Sequence, residues 1–181
     1  MDFDRIFEDL EGRLVHLEGE ELRATSEELA RAERAQVSLE DRLRAAIGTE
    51  VTVRLVDGTD VIGTLTETAP TWLGMRLTEG GRRALVPTEA IDLLLGIGVR
   101  ARPAPESARA SRTVRSPLRE LARDREILRI RTRSGAIRCR IVAVGQDAID
   151  VLSLPAGDGS GASSGSRMVI PTRSLCVVVV L

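Results

Sequence analysis

Residues 86–95 read VPTEAIDLLL and residues 170–179 read IPTRSLCVVV. Each sets a β-branched aliphatic before Pro-Thr, then a charged residue, a small residue and an apolar run. Self-similarity of this kind marks a repeated structural unit, and it extends N-terminally from both stretches. Ser38–Leu95 aligns with Ser116–Val179, feature by feature. Ser38 and Ser116 stand where a helix N-cap is expected, and Pro117 follows Ser116 at a position where its missing N–H is harmless. Asp41, three residues after Ser38, makes a variant of the capping box. Alternating strand residues follow: Val51, Val53 and Leu55 in one copy, Leu128, Ile130 and Thr132 in the other. Period-two alternation buries one face and solvates the other.

Asp57-Gly58 and Ser134-Gly135 supply the positive φ of tight hairpins. Second strands are expected at Val61, Gly63 and Leu65 and at Ile137, Cys139 and Ile141. Third strands are expected over 72–77 and 148–154, and closing strands over 92–95 and 176–180. Each unit is thus one short helix plus five short strands. Strands this short can close into a small bent barrel, which removes sheet edges, and Gly63 suits such a bend. The expected fold is mainly β with an N-terminal α-helix: two tandem five-stranded barrels, each preceded by a short helix.

The run Val51-x-Val53-x-Leu55-x-x-Gly58, followed by Gly63-x-Leu65, resembles the first signature of the Sm-like superfamily of SH3-like barrels. The second copy keeps Leu128, Ile130, Gly135 and Ile141 and has Cys139 in place of the second glycine. The resemblance covers residues 38–95 and 116–180 and implies a small barrel. Sm proteins that bind uridine-rich RNA use an aromatic and a polar residue after strand two, and an Arg-Gly or similar pair before strand five. Here those places hold Thr71-Trp72-Leu73-Gly74 and Val86-Pro87-Thr88, so that RNA pocket is not reproduced.

Ahead of the first unit, Phe3, Phe7, Leu10, Leu14 and Leu17 step by four, three, four and three, a helical seam of heptad type. After Gly19 the phase slips by one. Two readings fit: a helix folded back on the first barrel, or a helix that dimerises or recruits a partner. The domain plan is an acidic helical segment at 1–37, a barrel at 38–97, an Arg/Pro/Ala-rich linker at 98–115 and a barrel at 116–181. Residues 155–166, PAGDGSGASSGS, read as a flexible spacer between strands three and four of the second copy.

Charge is unevenly spread. Residues 1–50 hold 14 acidic and 7 basic side chains, residues 51–100 hold 6 and 5, and residues 101–181 hold 7 and 14. All the basic residues are Arg, which reads as a coding bias and is not in itself a sign of nucleic-acid binding. An acidic head and a basic tail bear on partners, not on fold. No apolar run is long enough to span a membrane, and the acidic start Met1-Asp2-Phe3-Asp4 is unlike a signal peptide. With Cys139 and Cys176 both on apolar strand-like stretches, a reduced cytoplasmic setting fits best.

Catalytic chemistry finds no foothold. His16, the one histidine, lies among Glu11, Glu18 and Glu20 and reads as solvent-facing. The two cysteines lack metal-ligand spacing and read as buried structural thiols. No cofactor, metal or catalytic residue is expected. Trp72 reads either as a core anchor or as a partner contact. Beside it, the seam Phe3, Phe7, Leu10, Leu14 and Leu17 forms the candidate protein-binding surface. The sharpest constellation is Arg129, Arg131 and Arg133 alternating on one strand, with Arg138 and Arg140 alternating on the next. Five guanidinium forks on one sheet face would suit phosphate oxygens. Against that stands the lack of aromatics for base stacking. A face paired with acidic protein, or simply solvated, fits the same residues. The expectation is a non-enzymatic nucleic-acid-binding regulator contacting the RNA or DNA backbone. The alternative is an interaction adaptor or scaffold that self-associates or binds a protein through its N-terminal helix.

Overall fold

The structure, a computed structural model, describes Glu28, Arg31 and residues 35–103, 113–155 and 165–181. The heptad seam from Phe3 to Leu17, His16 and most of the spacer at 155–166 lie outside the described residues. Leu39–Leu181 forms one compact unit.

Helix α1 (Leu39–Ala45) leads into β1 (Glu50–Leu55), where Val51, Val53 and Leu55 are buried and Arg54 is exposed. The β1–β2 turn uses Gly58 at φ +81°, and the Asp57 carboxylate accepts the Thr59 backbone N–H at 3.0 Å, the side-chain turn expected of Asp. Strands β2 (Asp60–Ala69), β3 (Trp72–Leu77), β4 (Arg83–Pro87) and β5 (Ile91–Leu95) complete the first repeat. The second runs through α2 (Arg115–Arg123), β6 (Leu128–Thr132), β7 (Gly135–Val144), β8 (Ala148–Ser153), β9 (Arg167–Pro171) and β10 (Leu175–Val180). Helix α2 opens earlier than the Ser116 cap predicts, with Val114 at the N-cap and no side-chain cap bond. Pro117 therefore sits inside the first turn, where its lack of an N–H still costs nothing.

The Pro-Thr step has a structural task in both repeats. A single 3₁₀ turn, Thr88–Ala90 or Thr172–Ser174, follows the proline. The threonine N–H then bonds back to the preceding β–β loop, from Thr88 to the Thr71 carbonyl at 3.0 Å and from Thr172 to that of Asp147 at 2.7 Å. The Thr172 hydroxyl reaches the same Asp147 carbonyl at 2.9 Å, and that of Thr88 reaches Pro70 at 3.3 Å.

Two closed barrels are not what these strands build. All ten join one open antiparallel sheet in the order β5-β1-β2-β3-β4-β10-β6-β7-β8-β9. The finding that overturns closure is the pairing of β10 with β4, Val178 opposite Leu85 and Val179 opposite Ala84. The β4 and β10 edges that closure would pair within each repeat are paired here between repeats, and β5 and β9 are left as the sheet's outer edges.

Register shows what happens at that junction. On one face of the sheet Val53, Val61, Leu65, Met75 and Ala84 belong to the core of the first repeat, which Leu43 of α1 closes. Across the junction the same face continues through Val179 to Arg129 and Arg138. On the other face, Leu85 leads through Val178 to Ile130 and Ile137 and into the second core, closed by Leu118 of α2. The two cores therefore lie on opposite faces of one sheet. Strands β4 and β10 serve both: Ala84, Val86 and Val177 belong to the first core, Leu85, Leu175 and Val178 to the second.

Candidate nucleic-acid interface

Strands β6 and β7 place Arg129 directly opposite Arg138, and Arg131 opposite Ala136. Opposite residues share a face, and alternation puts Arg140 with Arg138. The buried partners Leu128, Ile130 and Cys139 turn the other way, into the second core. Four of the five arginines thus share one face, where strand alternation leads to the expectation of all five. Arg133 lies one residue beyond the end of β6, beside the hairpin. Arg129, Arg133 and Arg140 are exposed, while Arg131 and Arg138 are half-buried.

Partners divide the set. The Arg131 Nη1 is 3.4 Å from Asp57 Oδ2, so a hairpin of the first repeat holds an arginine of the second. Burial pushes the Asp57 carboxyl up, but the Thr59 hydrogen bonds and the Arg131 charge outweigh it and leave the group below its ordinary range. The Arg138 Nη1 donates to the Pro155 carbonyl at 3.5 Å, while its Nε is buried without a partner. Arg129, Arg133 and Arg140 meet no acidic side chain among the described residues.

The sequence did not point to Arg167. Its β9 position pairs with Leu152, which pairs with Arg140, so it extends the same face and meets Asp150 at 3.8 Å. Only the β8–β9 register reveals it, and the long 155–166 loop hides that register from a sequence reading. On the matching outer face of the first repeat two of three arginines meet an acid, in one case an acid of the second repeat. Arg54 meets Asp60 at 2.8 Å, Arg83 meets Glu126 at 2.8 Å and Arg76 donates to the Gly81 carbonyl at 3.1 Å.

Trp72 is not at the surface. It is 3% exposed and packs in the second core beside Leu85, tying a first-repeat strand into the other half. Its Nε1 is buried without a partner, as is the Thr68 hydroxyl. The seam residues Phe3, Phe7, Leu10, Leu14 and Leu17 fall outside the described residues, so the candidate protein-binding surface has no geometry here. Cys139 and Cys176 are buried, free thiols. Burial pushes the Cys139 thiol up to about 11, and burial followed by the Asp57 charge raises that of Cys176. Neither is poised as a nucleophile, which needs a lowered pKa. Among the described residues no group of His, Cys, Asp and Glu could hold a metal ion, and no helix is long and apolar enough to cross a membrane.

No protein-family model matches the chain, and no curated protein matches it significantly.

Proposed function

We propose that this is a non-enzymatic binding protein that holds a nucleic-acid backbone on the arginine face of its second repeat. The observation that carries the reading is Arg129 directly opposite Arg138, with Arg140 beside them and no acid to neutralise Arg129 or Arg140 among the described residues. Like charges directly opposite one another destabilise a strand pair. In the first repeat Arg76 also stands opposite Arg83, but Glu126 of the second repeat meets Arg83, whereas Arg129 and Arg140 leave that repulsion for an anion to relieve. Arginine forks suit phosphate oxygens, and with no aromatic on this face among the described residues the contact would read backbone, not bases.

The test is an electrophoretic shift with single- and double-stranded DNA and RNA across salt concentration. About four phosphate contacts on a duplex predict a slope of log K against log salt near −4. The triple change Arg129→Glu, Arg138→Glu, Arg140→Glu should abolish the shift, while Arg54→Gln on the first repeat's outer face should leave it intact. Unchanged affinity in the triple variant would sink the proposal.

A further inference from the structure

The sheet face that carries the arginines does not end at Arg129. Arg129 stands opposite Val179 of β10, one strand spacing of about 4.8 Å away. Val179 is half-buried, and with Leu77 it packs on the margin of the first core. An open groove of about 370 Å³ lies there, with apolar walls made by Val61, Ile62, Leu77 and Val179. That volume falls within the roughly 300–1,000 Å³ of small-ligand pockets. Ile62 is 48% exposed. Three of the walls come from the first repeat and Val179 from the second, so the groove depends on the pairing of β4 with β10.

Two carboxylates stand at this groove, and their partners tell them apart. Both oxygens of Asp60 are taken by the Arg54 fork, at 2.8 and 2.9 Å. Glu79 meets no arginine among the described residues. The chain just before it is anchored: the Thr78 N–H donates to the Ile62 carbonyl at 3.0 Å and the Thr78 hydroxyl to Glu50 Oε2 at 2.9 Å. An unpaired carboxylate at the margin of an arginine face works against phosphate at that spot. It suits a group that brings N–H donors, because an ionised carboxylate only accepts. The groove thus combines apolar walls, an acceptor in Glu79 and, across Val179, a cation in Arg129. The matching ligand is a flat apolar body with N–H donors on one edge and an attached anion, which describes a nucleotide.

We infer, resting on the arginine-face reading above, that this groove takes a guanine base of a single-stranded nucleic acid whose phosphates lie on the arginines. Guanine alone among the bases sets two donors, N1–H and the 2-amino group, side by side on its pairing edge. Together they can bond both oxygens of one carboxylate. Adenine and cytosine place a ring acceptor beside their amino group, and uracil and thymine flank one N–H with two carbonyls, so each turns a lone pair toward Glu79. The pairing edge of guanine is free only in a single strand. The arginines supply affinity without choice, and the groove adds the choice of one base.

The test is fluorescence anisotropy of labelled single-stranded octamers, as RNA and as DNA, at one fixed low salt concentration. An all-adenine octamer is compared with octamers carrying a single central guanine, inosine or cytosine. The guanine octamer should bind about ten-fold tighter than the adenine one. Inosine keeps N1–H but lacks the 2-amino group, so its octamer should fall between them, and cytosine should match adenine. Glu79→Gln, at an exposed position, should erase the guanine preference. The same variant should bind the adenine octamer as tightly as wild type or more so, because a negative charge near the arginines has gone; this also shows that the variant is folded. Equal binding of the guanine and adenine octamers, or a guanine preference that survives Glu79→Gln, would overturn the inference and leave the arginine-face reading standing. Binding of no octamer, in RNA or in DNA, would overturn both.

Discussion

Asp57 shows how one side chain serves two repeats. Its carboxylate folds its own hairpin through Thr59 and reaches Arg131 of the other half. The group titrates below its ordinary value of 3.8 in the folded chain. Its contribution is therefore present above that value and is lost as pH falls through the lower, folded one. Asp57→Asn should be less stable than wild type near pH 7, and the gap should close as pH drops below 3.8. Urea midpoints of the two proteins across that range check this. A gap that stays constant would mean that the Asp57 charge contributes nothing. No local signal could have announced the pair, since 74 residues separate its partners. The β6–β7 arginines were legible because strand alternation and a hairpin glycine fix which side chains share a face. What the sequence could not show was which of them keep an acid partner.

The third and closing strands were legible to within a residue and the hairpins by their glycines, because each rests on local chemistry, whereas the full length of β2 and β7 and the 3₁₀ turn after each Pro-Thr were not anticipated. Closure was not legible, because it depends on which edge finds which. One signal did exist. Residues 175–180 read LCVVVV, and a strand that is apolar at every position is one buried on both faces, not on one. Gly63 was also read for the wrong cause. Its role is close approach: a Cβ there would sit 2.3 Å from the Arg76 carbonyl oxygen of β3. Gly63→Ala should force β2 and β3 apart and cost about 1–3 kcal/mol, measurable by urea denaturation. In the second repeat the matching position holds Cys139 opposite Ser153, where a side chain is accommodated. A Gly63→Ala protein as stable as wild type would show that the two strands separate without strain.

At the scale of the whole chain, the shared strands make the two repeats one folding unit. Trp72 comes from the first repeat and is buried in the core of the second, and Val177 makes the reverse exchange. Trp fluorescence and far-UV circular dichroism should therefore report a single coincident unfolding transition in denaturant. Two separated transitions would mean that the halves melt independently. A duplicated sequence invites the picture of two domains on a string, yet the hydrogen bonds between β4 and β10 make the sheet continuous across them.

Opposite-facing cores also bear on how this sequence can change. On β1, every second side chain points away from the buried row of Val51, Val53 and Leu55, so those positions answer to no interior. On β4, Ala84 and Val86 answer to one interior while Leu85 answers to the other, and β10 divides likewise, Cys176 and Val177 to the first and Leu175 and Val178 to the second. Neither strand has an idle side. The seam between the repeats is thus the part of the chain with the least room for neutral substitution, and once formed it ties the evolutionary fate of each copy to the other.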